Sequence, residues 1–219
     1  MNRQHFREQL DQMYQDVLHM GTLVEEALRK ALTAIRTGDF ELAESVANED
    51  EIIDELQFSL DERCAKLIAT EQPVATDLRE IIVAMKIASD LERIGDHARH
   101  LVRSIDQLRD SVFQPVWPLI REMTTKGIDM VHDSLTAYVN HDAATARAVA
   151  RRDDEIDALH HQIYAALLEA MEQHPDRLEQ GTSLVFLNRF LERLGDHVTN
   201  MCEWIVYART GEHVELNKV

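Results

Sequence analysis

The sequence repeats one ten-residue pattern in its two halves. LERIGDHARH occupies residues 91–100, and LERLGDHVTN occupies residues 191–200. The flanking pattern repeats as well, because the break TGDF at 37–40 has a counterpart in NHD at 140–142. The two halves therefore align with an offset of about 100–103 residues, which indicates an internal duplication.

Each half is predicted to contain three long helices. Apolar residues recur at spacings of three and four along most of the chain, and its 219 residues include only 7 glycines and 4 prolines. The helices are predicted over residues 3–36, 40–70, 74–109, 119–139, 143–173 and 180–208. Short connections make successive helices antiparallel neighbours. The predicted fold class is all-α: two tandem antiparallel three-helix bundles related by internal duplication. A long coiled coil is the alternative, and the tight breaks disfavour it.

Composition places the boundary between the halves. The stretch SVFQPVWP at 111–118 holds two of the four prolines and is predicted to be a linker. The first bundle is then predicted over residues 1–110 and the second over 119–219.

The charge of the chain excludes some classes of function. A formal net charge of −17 repels phosphate backbones, which argues against nucleic-acid binding, and it suits cations and basic protein surfaces. No apolar run of 18 residues is present, so no membrane insertion is expected, and the first residues are too polar for a secretory signal. Cys64 and Cys202 lack a CxxC pattern and are expected to be buried free thiols in a cytoplasmic protein.

Pairs of acidic residues four apart occur at matching places in both halves. Such a spacing puts both carboxylates on one face of a helix. The pairs are Asp50 with Asp54 and Glu92 with Asp96 in the first half, and Asp153 with Asp157 and Glu192 with Asp196 in the second. The chain distances to the intervening turn are similar on both sides, so the two pairs of each half are predicted to lie at the same height on neighbouring antiparallel helices.

Four converging carboxylates need a compensating positive charge. Carboxylate-rich sites inside helical bundles bind iron, manganese and other divalent metals, so a multinuclear metal site in each half is one interpretation. A network of surface ion pairs is the other, because Arg93 and Arg193 lie next to Glu92 and Glu192. Spacing alone leaves both open.

Gly95 and Gly195 precede the last acid of each half. A glycine inside a helix costs about 1 kcal/mol relative to alanine. Its presence in both copies suggests close approach of a neighbouring group or an ion, or a simple requirement of helix packing.

The histidines next to the acids are expected to play lesser parts. His97 and His197 follow the aspartates and point off the acidic face, so they are not predicted to be ligands. His100 and Asn200 lie one turn further on and are predicted to support the sites from outside the ligand set. Because the two copies differ here, the two sites are expected to differ in affinity.

Common catalytic motifs are absent from the sequence. It contains no glycine-rich phosphate loop, GxSxG, HExxH or CxxC, and the acids lack the Glu-x-x-His pattern of ferritin-like di-iron enzymes. A di-metal oxidase or hydrolase is the alternative function from another class. A purely structural helical module with surface ion pairs is a third.

Two stretches resemble the paired signatures of the PhoU family: MKIASDLERIGDHARHL and LNRFLERLGDHVTNMCEWIVYARTGE. The resemblance covers the whole chain. It implies a cytoplasmic protein of two three-helix bundles that binds iron, zinc, manganese or magnesium as a multinuclear cluster at the eight acids named above. His100 departs from the family pattern, in which asparagine is common at that position.

The resemblance also implies a role as a non-enzymatic, negative regulator of phosphate uptake and phosphate-regulon signalling. Such a protein is an adaptor between a phosphate ABC transporter, through its ATPase, and a sensor histidine kinase. Long amphipathic helices with spare apolar surface also make a homodimer the expected assembly.

Overall fold

The protein is helical throughout the part that the structure describes. The structure is a computed structural model that describes residues 3–216, and it contains no β-strand in that range. The α-helices are α1 (Arg3–Thr37), α2 (Phe40–Glu71), α3 (Thr76–Arg103), α4 (Ile105–Arg109), α5 (Trp117–Val139), α6 (Ala143–Ala150), α7 (Asp153–Gln173) and α8 (Leu178–Thr210). Short 3₁₀ turns cover Gln114–Val116 and Pro175–Arg177.

The repeated breaks end and restart the helices as the sequence predicts. Gly38 has a φ of +72° after α1, and the Asp39 carboxylate accepts a hydrogen bond from the Leu42 N–H at 2.9 Å, which caps α2. In the second half Asp142 caps α6 in the same way. His141 takes the place of Gly38 with a φ of +51°.

Two of the predicted long helices are interrupted. The third was predicted to continue to residue 109, but it ends at Arg103 because the Ser104 N–H bonds to the carbonyl of Leu101, an i→i−3 contact. The fifth breaks between α6 and α7, where the Arg152 N–H bonds to the Val149 carbonyl at 2.9 Å. The second break makes Asp153 the first residue of α7.

Both halves form three-helix bundles, and the bundles pack on each other. α1, α2 and α3 form the first bundle, and α5, α8 and the α6–α7 pair form the second. α3 packs along α8 and α1 packs on α5, so the buried side chains form one continuous apolar cluster across both halves. The all-α duplicated fold is confirmed.

The segment between the halves is part of the core. Phe113 is fully buried, and Val116 is buried as well. Residues 111–118 therefore connect the bundles without separating them, and the domain limits at residues 110 and 119 stay a prediction. Residues 1–2 and 217–219, at the outer ends of the predicted domains, lie outside the described residues.

Cys64 and Cys202 are free and buried, as predicted. Burial raises the pKa of the Cys64 thiol to about 11 and that of Cys202 to about 12, so neither is a reactive thiolate at neutral pH. Within residues 3–216, each helix is too short or too polar to cross a bilayer.

Candidate functional site: two acidic clusters beside the interface of the halves

The two copies of the repeated pattern face each other along α3 and α8. The ring centroids of His97 and His197 are 5.7 Å apart, and His197 Nδ1 lies 2.9 Å from Asp90 Oδ1. The counterpart of Asp90 in the second half is Phe190, which stacks on His100 at 4.2 Å between centroids. The histidines therefore pack between the halves, and the acid that His197 contacts, Asp90, is not one of the eight predicted ligands.

His97 is buried, and neither of its ring nitrogens has a hydrogen-bond partner among residues 3–216. Burial, followed by the charge of His197, lowers its pKa to about 3. It is therefore neutral and acts as a packing residue. His100 lies against the Phe190 ring. Burial lowers the pKa of His100 and the charge of Asp96 opposes that shift, so His100 is also close to the predicted acids, whereas Asn200 is exposed.

In the first half, Asp50 of α2 lies over Gly95 of α3. Asp50 is only 3% exposed, and a Cβ placed on Gly95 would stand 3.6 Å from its Oδ1 and 3.1 Å from Cδ1 of Ile53. Burial raises the pKa of Asp50, and the charges of Asp96 and Asp54 raise it further. The glycine thus makes room for a neighbouring helix and its carboxylate.

The other acids of the first half belong to the same cluster. Burial is also the largest cause that raises the pKa of Glu92, and it is followed among the raising causes by the charges of Asp96, Asp54 and Asp50. The four predicted carboxylates of this half therefore lie close enough to interact. Asp54 is the exposed member.

Arg99 is the positive charge that the sequence reasoning missed. Its Nη1 lies 2.5 Å from Asp50 Oδ2, and its Nη2 donates to Asp96 Oδ1. Arg93, the predicted competitor, reaches Glu92 Oε2 at 3.2 Å but is 58% exposed. The signal for Arg99 was available, because an arginine three residues after Asp96 shares its helix face and the second copy has threonine there.

The second half has the same acids without this arginine. Asp153, 2% exposed, lies so close to Gly195 that a Cβ on the glycine would overlap with Oδ1. Glu192 accepts a hydrogen bond from Arg189 at Oε1, while its buried Oε2 has no hydrogen-bond partner in the described part of the chain. Thr199 occupies the position of Arg99, and Arg193 is exposed.

The electrostatics of the second cluster resemble those of the first. Burial is the largest cause that raises the pKa of Glu192, and the charges of Asp196 and Asp157 also raise it. His160 is close enough to act in the opposite direction, and its Nδ1 lies 3.4 Å from the Asn188 carbonyl oxygen.

The two clusters differ in how well they fit a metal. Nowhere in residues 3–216 do three His, Cys, Asp or Glu side chains stand together in an arrangement that would hold an ion, so binding requires side chains to rotate. Among these same residues, each cluster has a buried carboxylate oxygen without a hydrogen-bond partner: Asp50 Oδ2 in the first and Glu192 Oε2 in the second. Arg99 Nη1 lies 2.5 Å from that oxygen of Asp50. Arg189, by contrast, contacts the other oxygen of Glu192, so the second cluster is the better candidate for a cation.

We expect Gly195→Ala to destabilise the protein more than Gly95→Ala. Alanine favours the helix by about 1 kcal/mol at either position. At position 195 its methyl group must displace the buried Asp153 carboxylate, at an overpacking cost of about 1–3 kcal/mol, whereas at position 95 the tightest neighbour is the tip of Ile53 at 3.1 Å. Urea denaturation measures both. The double variant Gly195→Ala with Asp153→Ala should recover most of the loss, and equal effects at both glycines would contradict this account.

Both halves of the chain are similar to known proteins of one family. The family model described as the PhoU domain matches residues 17–105 and again residues 120–205. A Clostridium acetobutylicum protein named phosphate-specific transport system accessory protein PhoU homolog is 36% identical over 218 residues, which covers 99% of this chain and 100% of that protein. A Streptococcus pneumoniae homolog with the same name is 34% identical over 98% of this chain and 100% of its own length.

Two crystal structures share the fold. PhoU from Streptococcus pneumoniae, described as a phosphate transport system regulatory protein, superposes with a TM-score of 0.86 at 32% identity, covering 95% of this chain and 99% of that one. PhoU from Pseudomonas aeruginosa also gives 0.86, at 31% identity, over 94% of this chain and 100% of that one. With both halves matched by the same domain and relatives aligned from end to end, the chain belongs to the PhoU family.

Proposed function

We propose that this protein is an accessory regulator of phosphate-specific transport and that it acts by binding partners, without catalysing a reaction. The observation that carries the proposal is the end-to-end match to proteins named as accessory or regulatory PhoU proteins, with both copies of the domain present. In the finer form of the proposal, the protein restrains phosphate uptake and phosphate-regulon signalling when phosphate is plentiful. Its place of action is the cytoplasm.

The proposed partners are a phosphate ABC transporter ATPase and a sensor histidine kinase. The net charge of −17 favours basic surfaces on these partners. Exposed apolar side chains on α2, α7 and α8, among them Phe58, Tyr164, Leu168 and Phe186, offer contact area for partners or for a second copy in a homodimer. Sedimentation analysis of the purified chain, at 25.2 kDa per copy, tests the dimer.

We propose that the acidic clusters hold divalent metal or iron. Asp153, Asp157, Glu192 and Asp196 would hold it in the second half, and Asp50, Asp54, Glu92 and Asp96 in the first. All eight supply oxygen ligands, which hard divalent cations prefer. A bound cation would offset the mutual repulsion of the carboxylates and tie the middle helix of each bundle to the last.

The regulatory role predicts a measurable effect on gene expression. In a bacterial strain that lacks its own PhoU protein, we expect this chain to restore repression of a phosphate-responsive promoter at high phosphate. A variant in which all eight acids become amides should fail to do so. A promoter reporter measures repression, and capture of the purified kinase and ATPase measures binding.

The control is a folded variant with exposed acids changed outside the clusters, such as Glu55→Gln with Glu172→Gln. It should repress like the original chain. Full repression by the eight-amide variant would contradict the role of the acids. Failure of the unaltered chain both to repress and to bind either partner would contradict the proposed function itself.

A further inference from the structure

Two adjoining cavities lie at one end of the molecule, at the junction of the two bundles. One has a volume of about 410 Å³ and is bounded by residues of α1, α3, α5 and α8; the other, of about 510 Å³, is bounded by α1, the α2–α3 connection and the start of α3. Tyr14, Glu80 and His141 line both. Volumes of this size, at an interface between structural units, are typical of sites for small molecules.

The smaller cavity presents two guanidinium groups. Arg79 and Arg209 both line it, together with Thr76. Arg79 donates to Thr76 Oγ1 at 3.3 Å, and its buried Nε has no hydrogen-bond partner within residues 3–216. A guanidinium group matches the geometry of a carboxylate or a phosphoryl group. Two such positive groups line this cavity, although the chain as a whole has a net charge of −17.

The remaining wall is aromatic and aliphatic. Tyr138 is 3% exposed, and its hydroxyl has no hydrogen-bond partner among residues 3–216, which is energetically unfavourable for a buried polar group. The ring of Tyr14 lies 5.0 Å from that of Tyr138 between centroids. Val83, Ile205 and Ala208 complete an apolar surface that fits a flat or apolar body and not a bare ion.

One acidic group faces the same space. Glu80 hydrogen-bonds the Tyr14 hydroxyl, and burial is the largest cause that raises its pKa. Its charge opposes an anion in the cavity, and the nearby charge of Arg79, which lowers the pKa of Glu80, offsets part of that opposition. His141, beside it, lowers the pKa of Glu80 and adds a further donor.

Unusual backbone conformations gather around these cavities. Among residues 3–216, the non-glycine residues with positive φ are Gln72 (48°), Ala75 (50°) and His141 (51°). Gln72 and His141 line the cavities, and Ala75 lies between residues that do. Each such conformation is strained for a residue that carries a side chain, and strain of this kind tends to concentrate at ligand sites.

We propose that the cavity between Arg79 and Arg209 binds a small molecule that joins a carboxylate or phosphoryl group to an apolar, ring-sized body. The oxyanion lies between the guanidinium groups, and the body packs on Tyr138, Val83 and Ile205. Because the site touches helices of both bundles, its ligand ties the halves together. The proposal goes beyond the proposed function and depends neither on the metal clusters nor on the regulatory partners.

The test uses four probes on the full chain: phenyl phosphate, phenylacetate, inorganic phosphate and neutral benzyl alcohol. Calorimetry gives the affinity, and methyl NMR signals of Val83 and Ile205 report the place of binding. We expect phenyl phosphate or phenylacetate to bind and shift these signals, and the two arms tell a phosphoryl from a carboxylate ligand. Arg209→Gln, at an exposed residue, should weaken binding about tenfold or more.

Matched variants keep the result interpretable. Arg121→Gln removes an exposed arginine elsewhere and should leave binding unchanged. Ala208→Leu fills the cavity without changing charge and should weaken binding, with circular dichroism to check the fold. No saturable binding of either aromatic anion would overturn the proposal. So would equal binding of benzyl alcohol, or wild-type affinity in Arg209→Gln.

Discussion

Replacing Phe113 by alanine is expected to lower the free energy of unfolding by about 3–5 kcal/mol. The ring is fully buried although it lies in the segment between the halves, and its Cζ reaches α8, where a Cβ on Gly181 would stand 3.2 Å from it. Its loss leaves a cavity where the connection packs on the second bundle. Urea denaturation followed by circular dichroism measures the change.

The matched control is Phe58→Ala, which removes the same side chain from a position that is 65% exposed. That change should alter stability by roughly 0.5 kcal/mol or less. The opposite outcome is a free energy of unfolding of Phe113→Ala that differs from that of the unaltered protein by less than about 1 kcal/mol. In that case residues 111–118 contribute little to the packed core, and the structural account of the connection is wrong.

Metal binding is expected to reside mainly in the second half. The four-fold variant Asp153→Asn, Asp157→Asn, Glu192→Gln, Asp196→Asn should lose most of the metal that copurifies with the protein. The corresponding variant of Asp50, Asp54, Glu92 and Asp96 should lose less, because Arg99 already neutralises Asp50 and Asp96. Elemental mass spectrometry of protein purified without chelator gives the metal content per chain.

Arg99→Thr is the companion change, since it gives the first half the residue that the second half has at position 199. We expect it to raise the metal content of the first cluster, and the first-half variant to abolish that gain. Equal metal loss from both four-fold variants, with no effect of Arg99→Thr, would show that the arginine does not compete with a metal. No metal in any of these proteins would refute the proposed metal sites.

The duplication and the apolar periodicity predicted the fold closely. Helix periodicity is a local property, and the caps at Asp39 and Asp142 act within three residues, so the sequence alone places most helix ends. The interruptions at Ser104 and Arg152 were missed. At each interruption an i→i−3 hydrogen bond replaces the i→i−4 bond of the α-helix, at a small cost in free energy. The spacing of apolar residues hardly changes there, so it does not predict the interruption.

The candidate site, like the fold, was predicted from the sequence only in part. Spacing within each helix and the chain distances to the turn predicted that the four carboxylates of each half lie at one height. Burial is the largest cause that raises the pKa of Glu92 and of Glu192, and the neighbouring acids raise it further, which is consistent with that prediction. The sequence alone left the compensating charge open between a metal and Arg93. Only the tertiary structure placed Arg99 on Asp50, because that contact joins two helices and depends on their rotation and separation.

By itself, the sequence determined the family and the duplicated helical architecture, since both follow from local spacing and direct repetition. The assignment of the eight acids as a metal site stays a prediction. The tertiary structure decided which glycine faces which carboxylate and how His97 meets His197. It also decided that Arg79 and Arg209, 130 residues apart, line one cavity. The physical reason is that the rotation and separation of packed helices set the contacts between residues distant in the chain. The spacing of side chains within one helix does not predict those contacts.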